Sequence, residues 1–305
     1  MCILKRILNK KSSDDSSLIT NLAKEIGCAS SSITKFKNEE NKEFHDFEGL
    51  VKMVKFLDED NEFEIMMDYS TNIDVNSMSA RTMLDYLSVN RQFDAMNSLI
   101  ERIKQTSNSE SKPWVEAYSL LYLWQIQAYE LDLDKFLNEV NGLNTKNFTS
   151  LEILQRLLKC YAYDLKKDHK QVFEISEEIK ILINNVKEKY LKRVFSVKLY
   201  EVLSNINLWV FYDADTSRFY AMKVIEANIG NAFNSYAYYI IAQSYFYNSY
   251  DISKQFFVKS IDGYKSFGRN EVAKDIEETL ELLEVFWGQK DLNENFLLKK
   301  NELYK

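Results

Sequence analysis

The chain has 305 residues and a net charge of −7, with one proline and seven glycines. So few turn-forming residues exclude a β-sandwich or a doubly wound α/β fold, both of which need many tight turns. Cys2, Cys28 and Cys160 match neither a disulfide framework nor a zinc site, and no apolar run is long enough to cross a bilayer. The composition therefore predicts an all-α, cytoplasmic protein with reduced thiols and no membrane association.

The N-terminal segment predicts three short helices. Residues 1–11 form a basic, partly apolar helix, and residues 12–17 (SSDDSS) form a polar break before the next one. Residues 19–38 then predict two helices around a tight corner at Gly27, because glycine tolerates a positive φ. We expect Ser30, Ser31 or Ser32 to cap the second helix.

The apolar faces of this pair indicate a helix-turn-helix. Leu22, Ala23 and Ile26 share one face of the first helix, and Ile33 and Phe36 share one face of the second. In a helix-turn-helix the second helix enters the DNA major groove. Any compact helical hairpin with these spacings has the same pattern, so a simple capping hairpin is the alternative.

Hydroxyl and lysine side chains on the second helix are the candidates for DNA contact. The hydroxyls can reach bases or phosphates, and the lysines can pair with phosphates. These residues are Ser31, Ser32, Thr34, Lys35 and Lys37. Residues 1–43 carry eight basic and six acidic residues, a net charge of +2 that leaves −9 for the rest. A basic head on an acidic body suits a focused DNA contact.

From Phe44 onward, apolar residues recur at helical spacing to the end of the chain. The predicted helices are 44–57, 63–69, 80–87, 93–103, 114–131, 133–140, 151–165, 172–186, 187–209, 217–227, 233–247, 252–267, 271–287 and 292–304. Pairs of roughly thirty to forty residues are typical of tetratricopeptide-like repeats, which stack into a superhelix. We therefore predict a helix-turn-helix domain at 1–40 and a helical-repeat domain at 44–305.

The residues typical of enzyme and metal sites are missing. His45 and His169 lie in different helical pairs, neither at metal-ligand spacing, and there is no phosphate-binding glycine loop or GxSxG motif. We therefore expect no enzyme activity, no metal and no cofactor. Twelve aromatic residues crowd into 211–250, and we expect roughly two-thirds of them to be core because stacked helices need bulky filler.

The segment 44–90 resembles the arbitrium receptor AimR family of temperate Bacillus phages. It carries a Phe-x-x-Phe start, a Val-Lys helix, a Glu-x-Met-Met-Asp-Tyr element, an Asn-x-Asp-Val corner and an Ala-Arg-x-x-Leu-x-Tyr helix, in the family's order. The similarity continues weakly through the helix-turn-helix and reappears at 202–206 and 244–287.

The resemblance implies a dimeric transcription regulator with an N-terminal helix-turn-helix and a tetratricopeptide-like superhelix. Such receptors bind a phage-encoded hexapeptide that is secreted and re-imported by the host. Without peptide they bind a palindromic operator, which favours lysis, and with peptide they lose productive DNA binding, which favours lysogeny. The expected partners are therefore operator DNA, an arbitrium-type hexapeptide and a second copy of the chain.

Two departures from the family pattern affect the expected peptide site. The sequence ends at Lys305, whereas arbitrium receptors continue for several helices that close the superhelix and help to hold peptide and partner. Asn205 matches a family asparagine, but Trp209 stands where the family has another, and Ala232 and Gln243 stand for its arginine and next asparagine. We therefore predict peptide contacts at Asn205, Trp209 and Gln243, with several polar anchors lost.

The predicted function is that of a shortened, divergent AimR-like, DNA-binding transcription regulator of the lysis–lysogeny decision in the bacterial host cytoplasm. One alternative is an AimR-like paralogue that binds DNA or protein but ignores the hexapeptide. Another is a tetratricopeptide-like adaptor that binds protein and uses its N-terminal helices as a polar cap.

Overall fold

The structure, a computed structural model, contains only helices and loops over the residues that it describes. These are residues 2–39, 44, 46–58, 61–75, 77–106, 111–146, 148–266 and 269–303, with the backbone alone for Phe63, Asn231 and 291–303. Within them lie sixteen α-helices and one short 3-10 helix, and no strand. The predicted all-α class is therefore confirmed. In the same ranges no helix is both long and apolar enough to span a bilayer.

The helices follow the predicted order closely. They are α1 Ile3–Asp14, α2 Leu18–Ile26, α3 Ser30–Asn38, α4 Phe47–Asp58, α5 Glu62–Asn72, α6 Met78–Val89, α7 Phe93–Thr106, α8 Lys112–Gln127, α9 Leu133–Gly142, α10 Thr149–Leu165, α11 His169–Ile183, α12 Lys189–Trp209, α13 Ala214–Ala227, α14 Asn231–Tyr245, α15 Tyr250–Ser266 and α16 Asn270–Leu303. The 3-10 helix, Ala128–Glu130, follows α8.

The chain divides into two compact units, and helices α10, α11 and α12 contribute residues to both. The first unit holds Met1–Ala162 and Leu182–Lys192, and the second holds Tyr163–Ile181 and Arg193–Lys305. The sequence predicted a different division, at residues 40–44, between a DNA-binding domain and a helical-repeat domain. That division stays a prediction.

The first unit packs its helices mainly against their neighbours in sequence: α6 against α7, α7 against α8 and α8 against α9. Helix α6 is buried on every side from Ser79 to Val89. Its Asp85 carboxylate accepts a hydrogen bond from the hydroxyl of Tyr118, and both side chains are fully buried. Burial raises the pKa of the Tyr118 phenol well above its usual range, so the hydroxyl keeps the proton that it donates.

The second unit stacks α13, α14, α15 and α16 in sequence order. Small residues bring α14 and α15 close together: a Cβ added to Gly263 would lie 2.1 Å from Ser235 Oγ. The buried hydroxyls of Ser253 and Ser260 donate to the carbonyls of Ala242 and Ser235, at 2.9 and 2.7 Å. Small side chains thus bring the two helices close together at these positions, and the fully buried Phe257 ring of α15 contacts Tyr239 of α14.

The predicted helix boundaries near residues 12–17 and 287–292 are wrong. The polar break expected at 12–17 begins too early, because α1 continues to Asp14. The helices predicted at 271–287 and 292–304 form one helix, α16, that runs through Gly288. A glycine inside a helix costs only about 1 kcal/mol, which good helix formers on both sides can offset. Tyr304 lies outside the described residues, as do Glu40, Asn41, Lys42 and Glu43 at the predicted boundary between the two domains.

Candidate nucleic-acid interface and peptide-binding region

Helices α2 and α3 meet at a glycine-dependent corner, as the sequence predicts. Gly27 has φ 79°, in the left-handed region that favours glycine. The backbone N–H groups of Gly27 and Cys28 both donate to the carbonyl of Ala23 at 3.0 Å. Without these bonds the Ala23 carbonyl at the end of α2 would have no hydrogen-bond donor. The bonds stabilise a sharp turn, and the chain enters α3 within three residues.

Helix α3 has one buried face and one solvent face. Ile33 and Phe36 are completely buried, and the solvent face carries four of the five predicted DNA contacts, Ser31, Ser32, Thr34 and Lys35. The Thr34 hydroxyl donates to the carbonyl of Ser30, four residues earlier, at 3.0 Å.

Lys37, the fifth predicted contact, differs from the others because it faces α1. Its side chain is half-buried, and its Nζ donates to Ser12 Oγ at 3.3 Å. The structure thus brings four candidates onto one outward surface of α3 and places Lys37 at the edge of that surface.

The expected serine cap of α3 is wrong. The N-cap residue is Ala29, which has no side-chain acceptor, and no side-chain cap bond is formed there. Ser30, Ser31 and Ser32 all lie inside the first turn, where the N–H of Ser32 donates to the carbonyl of Ala29 at 2.9 Å. The three hydroxyls are therefore free of a capping role.

Helix α1 fixes α3 from behind through a buried lysine. Lys5 is only 3% exposed; its Nζ donates to the carbonyl of Glu39 at 2.7 Å and lies 4.8 Å from the centroid of the Phe36 ring. Glu39 follows the last residue of α3, where unpaired carbonyls carry partial negative charge that favours a cation. The Phe36 ring also makes an edge contact with Phe44, with ring centroids 5.6 Å apart.

The same helix is tied to α4 and α5. The Lys11 ammonium donates to the carbonyl of Leu57 in the last turn of α4. At the other end of α1, the backbone N–H of Ile3 donates to the Asp68 carboxylate of α5 at 2.6 Å. Helix α1 therefore connects the α2–α3 pair to the helices that follow it.

Internal contacts divide the basic residues of this region into two groups. Residues 1–38 contain seven lysines and arginines and three acidic residues, a net charge of +4. The ammonium groups of three lysines donate hydrogen bonds within the protein: Lys5 to the end of α3, Lys11 to α4 and Lys37 to α1. The remaining four, which are all exposed, are Arg6, Lys10, Lys24 and Lys35. The positive charge of the second group is directed to solvent.

The predicted peptide contact Asn205, on α12, already has partners at both ends of its amide. Its Nδ2 donates to the Asp164 carboxylate at 3.4 Å, and its Oδ1 accepts from the Tyr236 hydroxyl at 2.9 Å. Burial and the nearby Glu201 carboxylate raise the pKa of Tyr236 well above its usual range, so this hydroxyl remains a donor. Asn205 thus joins α10, α12 and α14 within the second unit.

Gln243 belongs to the same side of α14 as Tyr236. Its Nε2 donates to the Tyr239 hydroxyl at 3.1 Å, and the Tyr239 and Tyr236 rings stack with centroids 6.2 Å apart. Residues at i, i+3 and i+7 share one helix face, so Tyr236, Tyr239 and Gln243 form a row. Two stacked tyrosines therefore link the two predicted contacts: Asn205 bonds Tyr236, and Gln243 bonds Tyr239.

Trp209 and Ala232 offer neither an amide nor a guanidinium group. Trp209 lies one turn after Asn205 on α12 and is 47% exposed. The Ala232 methyl is buried at the start of α14. An indole and a methyl group thus stand where the resemblance implies an asparagine and an arginine, and the indole adds an exposed apolar surface beside Asn205.

Asp164 and His169 form a titratable pair next to Asn205. Asp164 Oδ1 lies 3.7 Å from His169 Nδ1, and the two side chains are 34% and 30% exposed. Burial raises the pKa of the Asp164 carboxyl, while His169 and the hydrogen bond from Asn205 act in the opposite direction. His45, the other histidine, lies outside the described residues.

The prediction that most of the aromatic residues in 211–250 are core is wrong. Of the twelve, only Phe233 is buried, whereas Phe211, Tyr212, Phe219 and Tyr247 are exposed and the other seven are half-buried. Tyr239, Phe246 and Tyr250 pack against the buried cluster of α14, α15 and α16 but keep part of each ring in solvent.

Two side chains with a positioning role were not found from the sequence. Lys5 lies in the apolar stripe that contains Leu8, and a lysine in such a stripe is a weak signal for a buried cation. Tyr236 has no local signal, because its partner Asn205 is 31 residues away in the chain.

Comparison with known families and curated proteins gives consistent results. The model of the AimR transcriptional regulator-like family matches residues 62–299. The AimR transcriptional regulator of Bacillus phage SPbeta is 25% identical over 264 residues, which is 86% of this chain and 67% of that protein. The AimR transcriptional regulator of Bacillus phage phi3T is 23% identical over 268 residues, with the same two coverages.

Solved structures share the fold. The structure of selenomethionine phAimR has a TM-score of 0.76 and 23% identity, and covers 93% of this chain and 72% of its own. A ligand-bound structure of phAimR has a TM-score of 0.71 and 22% identity over 82% of this chain and 72% of its own. Similar folds at this identity establish the helical architecture independently of individual side chains.

Proposed function

Because the chain belongs to the AimR transcriptional regulator-like family, we propose that it is a transcription regulator that binds operator DNA through α2 and α3. This is a family of regulators rather than of enzymes. The helix-turn-helix is residues 18–38, with α3 as the recognition helix. Its role is in the lysis–lysogeny decision of a phage, in the cytoplasm of the bacterial host.

The observation that carries this proposal is the division of α3 into a fixed face and a free face. Ile33 and Phe36 hold the helix against the protein, and Lys5 holds its C-terminal end. Ser31 and Lys35 face solvent one turn apart, so they present a hydroxyl and a cation to the same groove. A short polar helix held this rigidly is suited to the major groove.

A palindromic operator requires two recognition helices about one helical turn of DNA apart. We therefore propose that the chain acts on DNA as a homodimer. Light scattering of the purified chain, alone and with a duplex, measures whether the dimer exists before DNA is added.

The peptide site is proposed on the face that contains Asn205, Trp209 and Gln243. The ligand-bound phAimR structure supports a ligand site within this fold. In the present chain the Asn205 amide already bonds Asp164 and Tyr236, which leaves one Nδ2–H and one lone pair of Oδ1 for a peptide. A buried polar anchor that is lost or occupied costs roughly 1–3 kcal/mol of recognition.

A specific observation also favours the alternative, a regulator that ignores the hexapeptide. Asn205 uses one amide donor and one acceptor position within the protein, and the buried Ala232 methyl has no polar group to offer a peptide. Calorimetry with the hexapeptide encoded beside the gene separates the two. Micromolar or tighter binding supports the receptor, and heats that match buffer dilution support the peptide-independent regulator.

The test of DNA binding is a mobility-shift titration of a duplex from the region upstream of the gene, against a scrambled duplex of equal composition. We expect the wild type to prefer the upstream duplex and Ser31→Ala/Lys35→Ala to lose that preference. Lys170→Ala is the matched control, since its side chain is 82% exposed and its removal changes the net charge equally. Equal binding by the double variant and the wild type would show that α3 is not the recognition helix.

A further inference from the structure

Four helices begin at the walls of one small cavity in the first unit. The cavity has a volume of about 200 Å³. Among the residues that line it, Met78 is the first of α6, Trp114 is in the first turn of α8, Thr149 is the first of α10 and Glu188 directly precedes α12. The first N–H groups of a helix carry partial positive charge, so these N-termini together favour an anion in the cavity.

The backbone donors at these N-termini differ in whether the protein already satisfies them. The Ser77 side chain caps α6, and the carbonyl of Ser111 accepts from the backbone N–H of Trp114 at 3.1 Å. Within the described ranges, the N–H groups of Thr149 and Ser150 at the start of α10 have no such acceptor, and their hydroxyls form no hydrogen bond. The open donors at this cavity therefore belong mainly to α10.

A buried tryptophan provides a second observation that is independent of the helix ends. Trp114 is only 3% exposed, and its indole Nε1–H has no acceptor in the part of the protein that the structure describes. Its ring is held by three neighbours: the Tyr118 and Phe148 rings, with centroids 6.2 and 5.9 Å away, and the Arg81 guanidinium, 5.0 Å away. A buried N–H without an acceptor is costly, so this fixed indole supplies a donor to an atom placed in the cavity that it lines.

The charged side chains at the cavity do not fill it. Lys187 and Glu188 both line the cavity and are exposed, and among the described residues neither forms an ion pair or a hydrogen bond through its side chain. Their opposite charges offset each other, so the preference for an anion comes from the start of α10 and from the indole. The lysine remains available to a ligand as a mobile cation.

We infer that this cavity binds the phosphate group of a small molecule. The N–H groups of Thr149, Ser150 and the Trp114 indole would donate to its oxygens, and Lys187 would neutralise part of its charge. Phosphate offers more acceptor oxygens than a carboxylate, which suits donors that come from two helices and a lysine. The volume is smaller than the roughly 300–1,000 Å³ of pockets for drug-sized ligands, so it selects a small partner. This site is separate from the proposed DNA-binding surface.

The indole resonance of Trp114 tests the inference directly. The chain has four tryptophans, so protein with isotope-labelled tryptophan gives four indole N–H signals, and Trp114→Phe identifies one of them. Inorganic phosphate is titrated through the millimolar range at constant ionic strength. We expect a saturable downfield shift of the Trp114 signal, because its N–H gains an acceptor, and no shift of the signal of Trp209, which is 47% exposed. A Trp114 signal that does not move, or that moves equally with chloride, would overturn the inference.

Calorimetry of variants tests the same contacts without the spectroscopic signal. Lys187→Gln should weaken phosphate binding by about twofold to fivefold, and Trp114→Phe by at least about tenfold. Lys170→Gln is the charge-matched control, because its side chain is 82% exposed, and it should bind as the wild type does. Thermal melts verify that each variant is folded, and Lys187→Gln keeps the test decisive because its side chain is exposed. Wild-type affinity in both cavity variants, or tighter binding of acetate than of phosphate, would contradict a phosphate site here.

Discussion

The ammonium of Lys5 lies 4.8 Å from the centroid of the Phe36 ring and donates to the backbone at Glu39, so one side chain of α1 holds both the core residue and the end of α3. A buried lysine is costly unless it is paired, and here the carbonyls at the end of a helix supply the partner. The orientation of the proposed recognition helix thus depends on a residue that does not face DNA.

The first prediction concerns this lysine. Lys5→Met keeps the length of the side chain but removes its charge and hydrogen bond, and should lower the free energy of unfolding by about 1–2 kcal/mol. Urea denaturation followed by circular dichroism measures the change. Lys10→Met, on the exposed side of the same helix, should change stability by less than about 0.5 kcal/mol. Equal effects of the two substitutions would show that Lys5 does not hold α3.

The second prediction tests the corner between α2 and α3. Gly27→Ala should destabilise the protein by about 1–2 kcal/mol, because alanine is strained at φ 79°. No atom lies within 4 Å of the added Cβ, so the cost comes from the backbone conformation alone. Chemical denaturation measures it directly.

Gly142→Ala is the control for the corner. Gly142 is the last residue of α9, its φ is outside the left-handed region, and an added Cβ also meets no atom within 4 Å. That substitution should leave stability unchanged or raise it by up to about 1 kcal/mol. A stabilising Gly27→Ala would contradict the described turn.

The third prediction concerns the hydrogen bond that Tyr236 donates to Asn205. Tyr236→Phe removes the hydroxyl that donates to Asn205 Oδ1 and should cost about 0.5–1.5 kcal/mol of stability. Tyr247→Phe is the control, because that ring is 70% exposed and should give no measurable change. If the hexapeptide binds through Asn205, calorimetry should also show tighter binding to Tyr236→Phe. Weaker binding to that variant would mean that the tyrosine, and not the released amide, contacts the peptide.

The fourth prediction concerns pH. Burial raises the folded-state pKa of Asp164 above its unfolded value, so the folded state holds this proton more tightly. At low pH the carboxyl is protonated, and its burial does not lower the free energy of unfolding. As the pH rises through the folded-state pKa the carboxyl ionises, and burial of the charge then lowers that free energy. The substitution Asp164→Asn, which removes the titrating group, should become progressively more stabilising as the pH rises above the ordinary pKa of an aspartate, about 3.9.

His169 must be replaced in that experiment, because it lowers the pKa of Asp164 and so acts against the effect of burial. Both proteins should therefore carry His169→Gln, and urea midpoints at several pH values give the difference. A stabilising effect that falls as the pH rises would show that hydrogen bonding, and not burial, governs this carboxyl.

The sequence predicted the elements that depend on local spacing. Leu22, Ile26, Ile33 and Phe36 are buried as expected, because a helical period determines which side chains share a face. The corner at Gly27 followed from the conformational freedom of glycine. The all-α class followed from the scarcity of glycine and proline.

The contacts that position the candidate sites depend on residues far apart in the chain. Lys5 donates a hydrogen bond to Glu39, which is 34 positions away in the chain, and Asn205 donates one to Asp164, which is 41 positions away. No local pattern identifies such pairs, since each partner alone resembles an ordinary surface residue. The resemblance at 44–90 likewise indicated a family but not which polar groups are occupied within the protein.

The central claim is that the solvent face of α3 lies against DNA, and photo-crosslinking tests it most directly. Ser31 is replaced by p-benzoylphenylalanine, the protein is irradiated with the upstream duplex, and covalent complexes are counted on a denaturing gel. The same replacement at the exposed residue Lys170 is the control. We predict crosslinks from position 31 that an excess of unlabelled upstream duplex removes, and none from position 170. Crosslinks from neither position, with the duplex bound, would contradict the assignment of α3 as the recognition helix.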